Sequence, residues 1–256
     1  ERIQTLVNDR DRLLHDVSHE IRSPLARMRI AMELARADQP HALDRCDREI
    51  ERIDQLVEEI LSFARLDPNQ QQSRLDIEPL DLAQLGRDAI DRHQLTAKEQ
   101  GKALQIQGPD QIPVQADARL LDRAIDNLLS NALRYAEHQV TLVVSLQGRL
   151  ARVTVSDDGP GVSDEDLGHL FEPFWRGASP QSGYGLGLAL VARVAQAHQG
   201  QAQAIQLQPH GLAVSLTLPL SYNRSCSSRP WPVRPLCRTD AHGAVMVVTP
   251  DCPSPA

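Results

Sequence analysis

The sequence predicts an α+β protein in two parts, a helical hairpin followed by a two-layer α/β sandwich. Three observations predict it. Apolar residues step by three and four through the first two helical segments. A polar, Pro-containing stretch, Asp67-Pro68-Asn69-Gln70-Gln71-Gln72-Ser73, then interrupts the pattern. Beyond it, helical segments and short β-patterned segments follow in the mixed order of helices packed on an antiparallel sheet.

Residues 1 to about 36 read as one helix, with Leu14, Val17, Ile21, Leu25, Met28 and Met32 on a single stripe. Asp38-Gln39-Pro40 ends it. A second helix carries Leu43, Cys46, Ile50, Ile53, Val57, Ile60 and Ala64, the alternating three-four spacing of a coiled-coil seam. One hairpin covers only part of two such stripes, so a homodimer forming a four-helix bundle is expected. In the second part, Asp81 is expected to cap a helix to about Lys98, and Asp117 a helix to about Tyr135. Strands are expected at 103–107, 114–116, 140–146, 152–156, 202–207 and 212–218, with a Gly-rich loop from 157 to 186 and a helix at 188–198. From about Ser221 the chain turns rich in Pro and Ser and reads as a disordered tail.

Composition narrows the function. A net charge of −7 and a pI near 5.7 argue against a nucleic-acid binder that relies on phosphate contacts. No apolar run reaches the roughly 20 residues a membrane span needs, and no signal peptide opens the chain. Glu1 begins inside a helical pattern, so the sequence reads as a fragment whose upstream part is missing. Its four Cys show neither zinc nor disulfide spacing.

Five stretches carry chemistry. In Asp16-Val17-Ser18-His19-Glu20-Ile21-Arg22-Ser23-Pro24-Leu25, His19 lies off the apolar stripe and Ser23 stands one turn on. A solvent-facing imidazole can act as a nucleophile or carry a proton. Pro24 denies the Glu20 carbonyl its helical partner, and a kink is expected there. On the helix 117–135, Leu121, Ile125, Leu128 and Ala132 share one face and Asn127, Asn131 and Arg134 share another. Two interior Asn on one face run against helix propensity and call for a reason other than solvation. In Val153-Thr154-Val155-Ser156-Asp157-Asp158-Gly159-Pro160-Gly161, a strand ends on a carboxylate that can accept from a base amino group. Gly183-Tyr184-Gly185-Leu186-Gly187-Leu188 frees backbone N–H groups near a helix N-terminus, but fits neither Walker nor Rossmann spacing. Between the last two, Leu170-Phe171-Glu172-Pro173-Phe174-Trp175-Arg176-Gly177 reads either as a lid anchor, with Arg176 in reach of a phosphate, or as a small satellite core.

Taken in order, these motifs resemble the phospho-acceptor box and the nucleotide boxes of two-component sensor histidine kinases. His-Glu-Ile-Arg-Ser-Pro-Leu departs from the usual form at Ile21 and Ser23, where Leu and Thr are common. The resemblance covers about residues 1–220 and, in HEIRSPLARMR, is nearest to envelope-sensing kinases of Gram-negative bacteria. It implies residues 1–8 as the end of a HAMP signalling helix, 9–67 as a dimerisation and histidine phosphotransfer domain, 68–78 as a linker, 79–220 as a catalytic ATP-binding domain and 221–256 as tail. It implies ATP and Mg²⁺ as cofactors, a response regulator receiver domain as partner, and an inner-membrane protein as the whole.

The resemblance also implies roles. His19 would receive the γ-phosphoryl group, Glu20 would take its proton, and Ser23 stands at a position linked to dephosphorylating the partner. Asn131 would bind the metal directly, with Asn127 helping to hold metal and phosphates and Arg134 on the phosphates. Tyr135 would pack on adenine and Asp157 accept from its amino group. Gly159, Gly161, Gly183, Gly185 and Gly187 would shape the pocket and lid, joined by Phe171, Arg176, Leu186 and Leu188. Two other readings are weaker. A hydrolytic ATPase of the wider superfamily would resemble Glu-x-x-x-Asn at the metal helix, and Asn127 stands where that Glu would, unable to act as a base. A non-catalytic scaffold would have eroded nucleotide boxes, and these are intact.

Overall fold

The computed structural model describes residues 17, 21–36, 41–66, 75–177, 184–220, 238–239 and 245–246. The described residues before Tyr222 belong to one compact unit. Residues 1–16, His19 and Glu20, the break at 38–40, Gly183, most of the linker and most of the tail lie outside the described residues.

Helix α1 (residues 21–36) and helix α2 (Ala42–Arg65) form the hairpin. Helix α1 runs unbroken through Pro24, which is buried. The turn expected to kink includes 18–20, outside the described residues. Between the helices, Arg27 donates to Glu49 Oε2 through Nε (3.0 Å) and Nη2 (2.8 Å), and Arg52 also bonds the Glu49 carboxylate. Glu49 is buried, and the Arg27 hydrogen bond holds its carboxyl below the usual range against the opposing push of burial.

The expected single stripes split. Of their residues, Cys46 is buried, with Val17, Ile21, Met28, Ile53 and Ile60 partly so. Leu25, Met32, Leu43, Ile50 and Val57 stay exposed at intervals of seven along each helix. The physical reason is geometric: a seam that faces two neighbours has two edges, and α1 and α2 cover only one of them for each other.

In the second part, strand β1 (Glu78–Asp81) pairs antiparallel with β3 (Pro113–Ala116). Five strands make the main sheet, in the order β2 (Ala103–Gln107), β4 (Gln139–Gln147), β5 (Leu150–Asp157), β7 (Leu212–Pro219), β6 (Gln201–Gln206). Only β2 and β4 run parallel, and the other neighbours are antiparallel. Helices α3 (Leu82–Glu99), α4 (Ala118–Tyr135) and α6 (Gly187–Ala197) form the second layer.

Period-two alternation aims one face of each strand at those helices. Val140, Leu142 and Val144 of β4, Ala151, Val153 and Val155 of β5, and Val214, Leu216 and Leu218 of β7 are buried together. Helix α4 inserts Leu121, Ile125, Leu128 and Leu129 against them. Each fully buried aliphatic side chain contributes about 1.5–3 kcal/mol.

Both helix caps expected from the sequence form. Asp81 accepts from the N–H of Ala83 (3.0 Å) and of Ile112 (2.8 Å). Asp117 accepts from Leu120 N–H (3.2 Å). Four elements went unread. Strand β1 falls at the end of what reads as linker, and its Pro79 and four-residue length hide it. The one-turn helix α5 (Asp164–Leu167), capped by Ser163, interrupts the Gly-rich loop. In the tail, which reads as disordered, β8 (Arg238–Thr239) pairs with β9 (Val245–Met246).

One contact ties α6 to α4. His198 accepts the Asp117 N–H at Nε2 (2.9 Å) and donates from Nδ1 to the Val194 carbonyl (2.8 Å). Only the neutral imidazole does both. Burial pushes the His198 pKa down, opposed by the Val194 carbonyl and by Asp117. The unfolded chain then holds the proton more readily than the folded one. The stabilisation is complete above the unfolded value, about pH 6.5, and is lost as pH falls below it toward the folded value. The thermal unfolding midpoint should drop between pH 7 and 5.5, and the drop should be shallower in His198→Gln. An equal slope in both proteins would assign the acid sensitivity to other groups.

Candidate active site

The register of β5 decides where Asp157 points. It continues the buried series Ala151, Val153, Val155, so its carboxylate occupies the helix-facing position at the very end of the strand. There it accepts from Gly159 N–H (3.0 Å), and the Leu212 N–H also faces it. Burial pushes its carboxyl above the usual range, these two N–H groups pull it down, and Asp158 pushes it up. The neighbouring Asp158 does something else. It accepts the N–H groups of Glu137, His138 and Gln139 (3.0 Å each) and so closes the turn between α4 and β4. Burial raises its pKa, but these donors outweigh it and hold the carboxyl low.

Asp157 lines one wall of a cavity of about 540 Å³, within the range of small-ligand sites. Helix α4 forms another wall with Asn127, Asn131, Arg134 and Tyr135, the polar face read from the sequence. Asn127 donates from Nδ2 to the Arg123 carbonyl (3.0 Å). The Asn131 carboxamide has no protein partner among the described residues. Gly161, Arg176, Gly185, Gly187 and Leu188 complete the predicted set at the wall.

Three predicted residues do not line it. Gly159 lies behind Asp157, where a Cβ would stand 2.3 Å from the Tyr135 carbonyl oxygen. Its role is close approach of β5 to the end of α4. Phe171 packs on the main core, not in the separate satellite core that was the alternative. Leu186 is buried in a second cluster with Ala189, Leu56 and Phe63 of α2, because the loop turns it toward the hairpin. That turn depends on Gly185 at φ 72°, where a Cβ would also meet the Trp175 carbonyl oxygen at 2.6 Å.

Other lining residues were not read from the sequence: Glu59, Ser130, Ser163, Asp166, Leu170, Trp175, Tyr184 and Leu212. Trp175 and Leu170 carry a readable signal, the aromatic loop itself. Glu59 carries none, because it belongs to the hairpin and reaches the cavity only through packing of α2 on α6.

The donor set fits a nucleotide with a hard cation. A carboxylate at one end suits an exocyclic amino group. Neutral carboxamides and a guanidinium at the other suit phosphates and a Mg²⁺ that keeps most of its ligands as water and phosphate oxygen. Asn131 would supply a carboxamide oxygen to that ion. No cluster of three His, Cys, Asp or Glu among the described residues forms an all-protein metal site.

Comparison with known proteins agrees with this geometry. Residues 9–69 match the family described as His Kinase A (phospho-acceptor) domain. Residues 116–222 match Histidine kinase-, DNA gyrase B-, and HSP90-like ATPase. The sensor histidine kinase CpxA of Escherichia coli K12 is 33% identical over 230 residues, 87% of this chain and 50% of CpxA. The chain thus spans about half the length of the curated relatives it matches. Full-length ShkA in complex with AMPPNP is 25% identical with a TM-score of 0.62, covering 83% of this chain and 46% of that one. ThkA in complex with the response regulator protein TrrA shares the fold, with a TM-score of 0.69 at 18% identity, over 87% of this chain and 67% of that one. With a helical hairpin leading into this ATPase sandwich, the chain belongs to the sensor histidine kinase family.

Proposed function

We propose that this chain transfers the γ-phosphoryl group of ATP to His19 and then to an aspartate on a response regulator receiver domain. One observation carries the reading: a cavity with Asp157 at one end and the Asn127, Asn131, Arg134 face of α4 at the other, in a chain whose phospho-acceptor region precedes it. Asp157 accepts from the adenine amino group and Tyr135 packs on the ring. Asn127 and Arg134 hold the phosphates, and Asn131 holds Mg²⁺, which neutralises charge on them when bound. Glu20 takes the proton from one ring nitrogen of His19, and the other nitrogen attacks phosphorus as the bond to the ADP oxygen breaks. Phosphoryl transfer asks mostly for positioning and charge neutralisation, which the carboxamides and Arg134 supply. The test is incubation of the purified chain with γ-labelled ATP and Mg²⁺, and acid-labile, alkali-stable label on the protein is the expected result.

The exposed period-seven stripe on α1 and α2 supports a homodimer through the hairpin. No described helix is long and apolar enough to cross a membrane, and the likeness to CpxA supports a cytoplasmic portion of an inner-membrane sensor. Dephosphorylation of the partner is the second half of the function. Ser23 is exposed and its Oγ accepts from Arg27 Nη1 (2.6 Å), while Arg27 is itself anchored on Glu49. That holds a hydroxyl in fixed orientation one turn from His19 in sequence. Ser23→Ala should slow dephosphorylation of the phosphorylated receiver about tenfold while leaving autophosphorylation within twofold. An unchanged dephosphorylation rate would remove Ser23 from that role.

A further inference from the structure

We infer that Glu59 is an internal competitor of the nucleotide's phosphates: with α2 docked on the ATP-binding domain, its carboxylate stands at the arginine-bearing end of the cavity, on ground that a nucleoside triphosphate would claim. The inference rests on the nucleotide reading above and adds a residue of the hairpin to that site.

Glu59 lines the same cavity as Asn127, Asn131 and Arg134. It is partly buried there, and the charges of Arg134 and Arg123 face it. Burial pushes its carboxyl above the usual range, and the two arginines, Arg134 more than Arg123, offset that only in part. Arg134, the cavity arginine that the nucleotide reading places on the phosphates, thus meets a single carboxylate in their place.

The helix that carries Glu59 is fixed against the domain on both sides of it. Before it, Tyr184 donates its hydroxyl to the Arg52 carbonyl (2.6 Å). Beside it, Arg123 Nη2 donates to the Glu58 carbonyl (2.9 Å). Beyond it, Arg193 Nη1 donates to the Phe63 carbonyl (2.7 Å), with the guanidinium 3.4 Å over the Phe63 ring. Leu56 and Phe63 bury their side chains against Leu186 and Ala189 in the same interface. The carboxylate is therefore delivered by docking. A bound triphosphate brings several negative charges into a space already holding one, and like charges in a partly desolvated site repel. By linkage, whatever weakens docking strengthens triphosphate binding, and the reverse.

The experiment measures affinities of the full chain for a non-hydrolysable ATP analogue with Mg²⁺, and for adenosine, by calorimetry. Four proteins are compared: the unmodified chain, Glu59→Gln, Arg193→Ala and the double variant. Arg193 stands outside the cavity lining, so its substitution loosens docking without touching the pocket. Glu59→Gln should tighten the triphosphate analogue about tenfold and leave adenosine within twofold. Arg193→Ala should tighten the analogue when made in the unmodified chain and add nothing when made on top of Glu59→Gln, a non-additive cycle. Unchanged or weaker binding of the analogue by Glu59→Gln overturns the inference, the weaker result making Glu59 a metal or phosphate support. An equal gain for adenosine overturns it too, because the effect would then not concern phosphates. Binding of neither analogue nor adenosine by any of the four would bring down the nucleotide reading itself, and this inference with it.

Discussion

Replacing His19 by Gln is expected to lower incorporation of the γ-phosphoryl label by at least about a thousandfold, to the limit of detection. Gln keeps a polar, hydrogen-bonding side chain of similar reach, but no unprotonated ring nitrogen to form a phosphoramidate bond. In sequence His19 shares its helix face with Ser23, and Ser23 is on the solvent side of α1. The substitution should therefore cost little stability, since a polar replacement on that face leaves the buried Ala31 and Cys46 of the hairpin in place. Nucleotide affinity should stay within twofold, because the cavity is built from Glu59 and from residues 127 onward. Retained binding with lost label separates the acceptor from the pocket. Label persisting on the His19→Gln protein would place the phosphorylated residue elsewhere and end this assignment.

Much of this protein was legible because its local and long-range signals agree. Asp81 and Asp117 cap the helices that follow them in the sequence, since an Asp before an amphipathic run has one cheap way to satisfy the first N–H groups. The polar face of α4 was legible for the opposite reason. Asn127 and Asn131 break helix preference on the side away from the core, and such local violations concentrate at sites. Strand β1 and helix α5 were not legible, because four residues carry too little periodicity to stand out. The split of the hairpin stripes needed three dimensions. Spacing alone puts Leu25 and Met28 on one stripe, and only packing shows that one is exposed while the other is partly covered. Glu59 lies at the far end of this scale. It sits among Glu51, Asp54 and Glu58 on an acidic helix surface, and nothing in its spacing separates it from residues that only meet solvent.

Asp157→Asn is expected to weaken ATP by about 10- to 100-fold, the range for losing a hydrogen bond to a charged group, about 1.5–3 kcal/mol. The reasoning is a count of donors. Gly159 N–H and Leu212 N–H already point at the carboxylate. An adenine amino group would be a third donor, and a carboxylate has lone pairs for all three. Asn offers one oxygen, and its NH₂ must then face one of those donors with nothing to accept. If the oxygen stays with the backbone N–H groups, the NH₂ faces the base. That arrangement repels an amino group but suits the carbonyl of a 6-oxopurine. Binding of inosine triphosphate should therefore hold or improve while ATP weakens, so the ATP-to-ITP affinity ratio should fall at least as far as ATP affinity alone. Asp157→Ala separates recognition from packing, because it removes the acceptor without supplying a donor. It should lose ATP affinity to a similar degree and show no gain for the 6-oxopurine. Calorimetric titration of the three proteins with both nucleotides decides the matter. Equal losses for ATP and ITP in Asp157→Asn would mean that this carboxylate braces the loop at Gly159 and does not read the base.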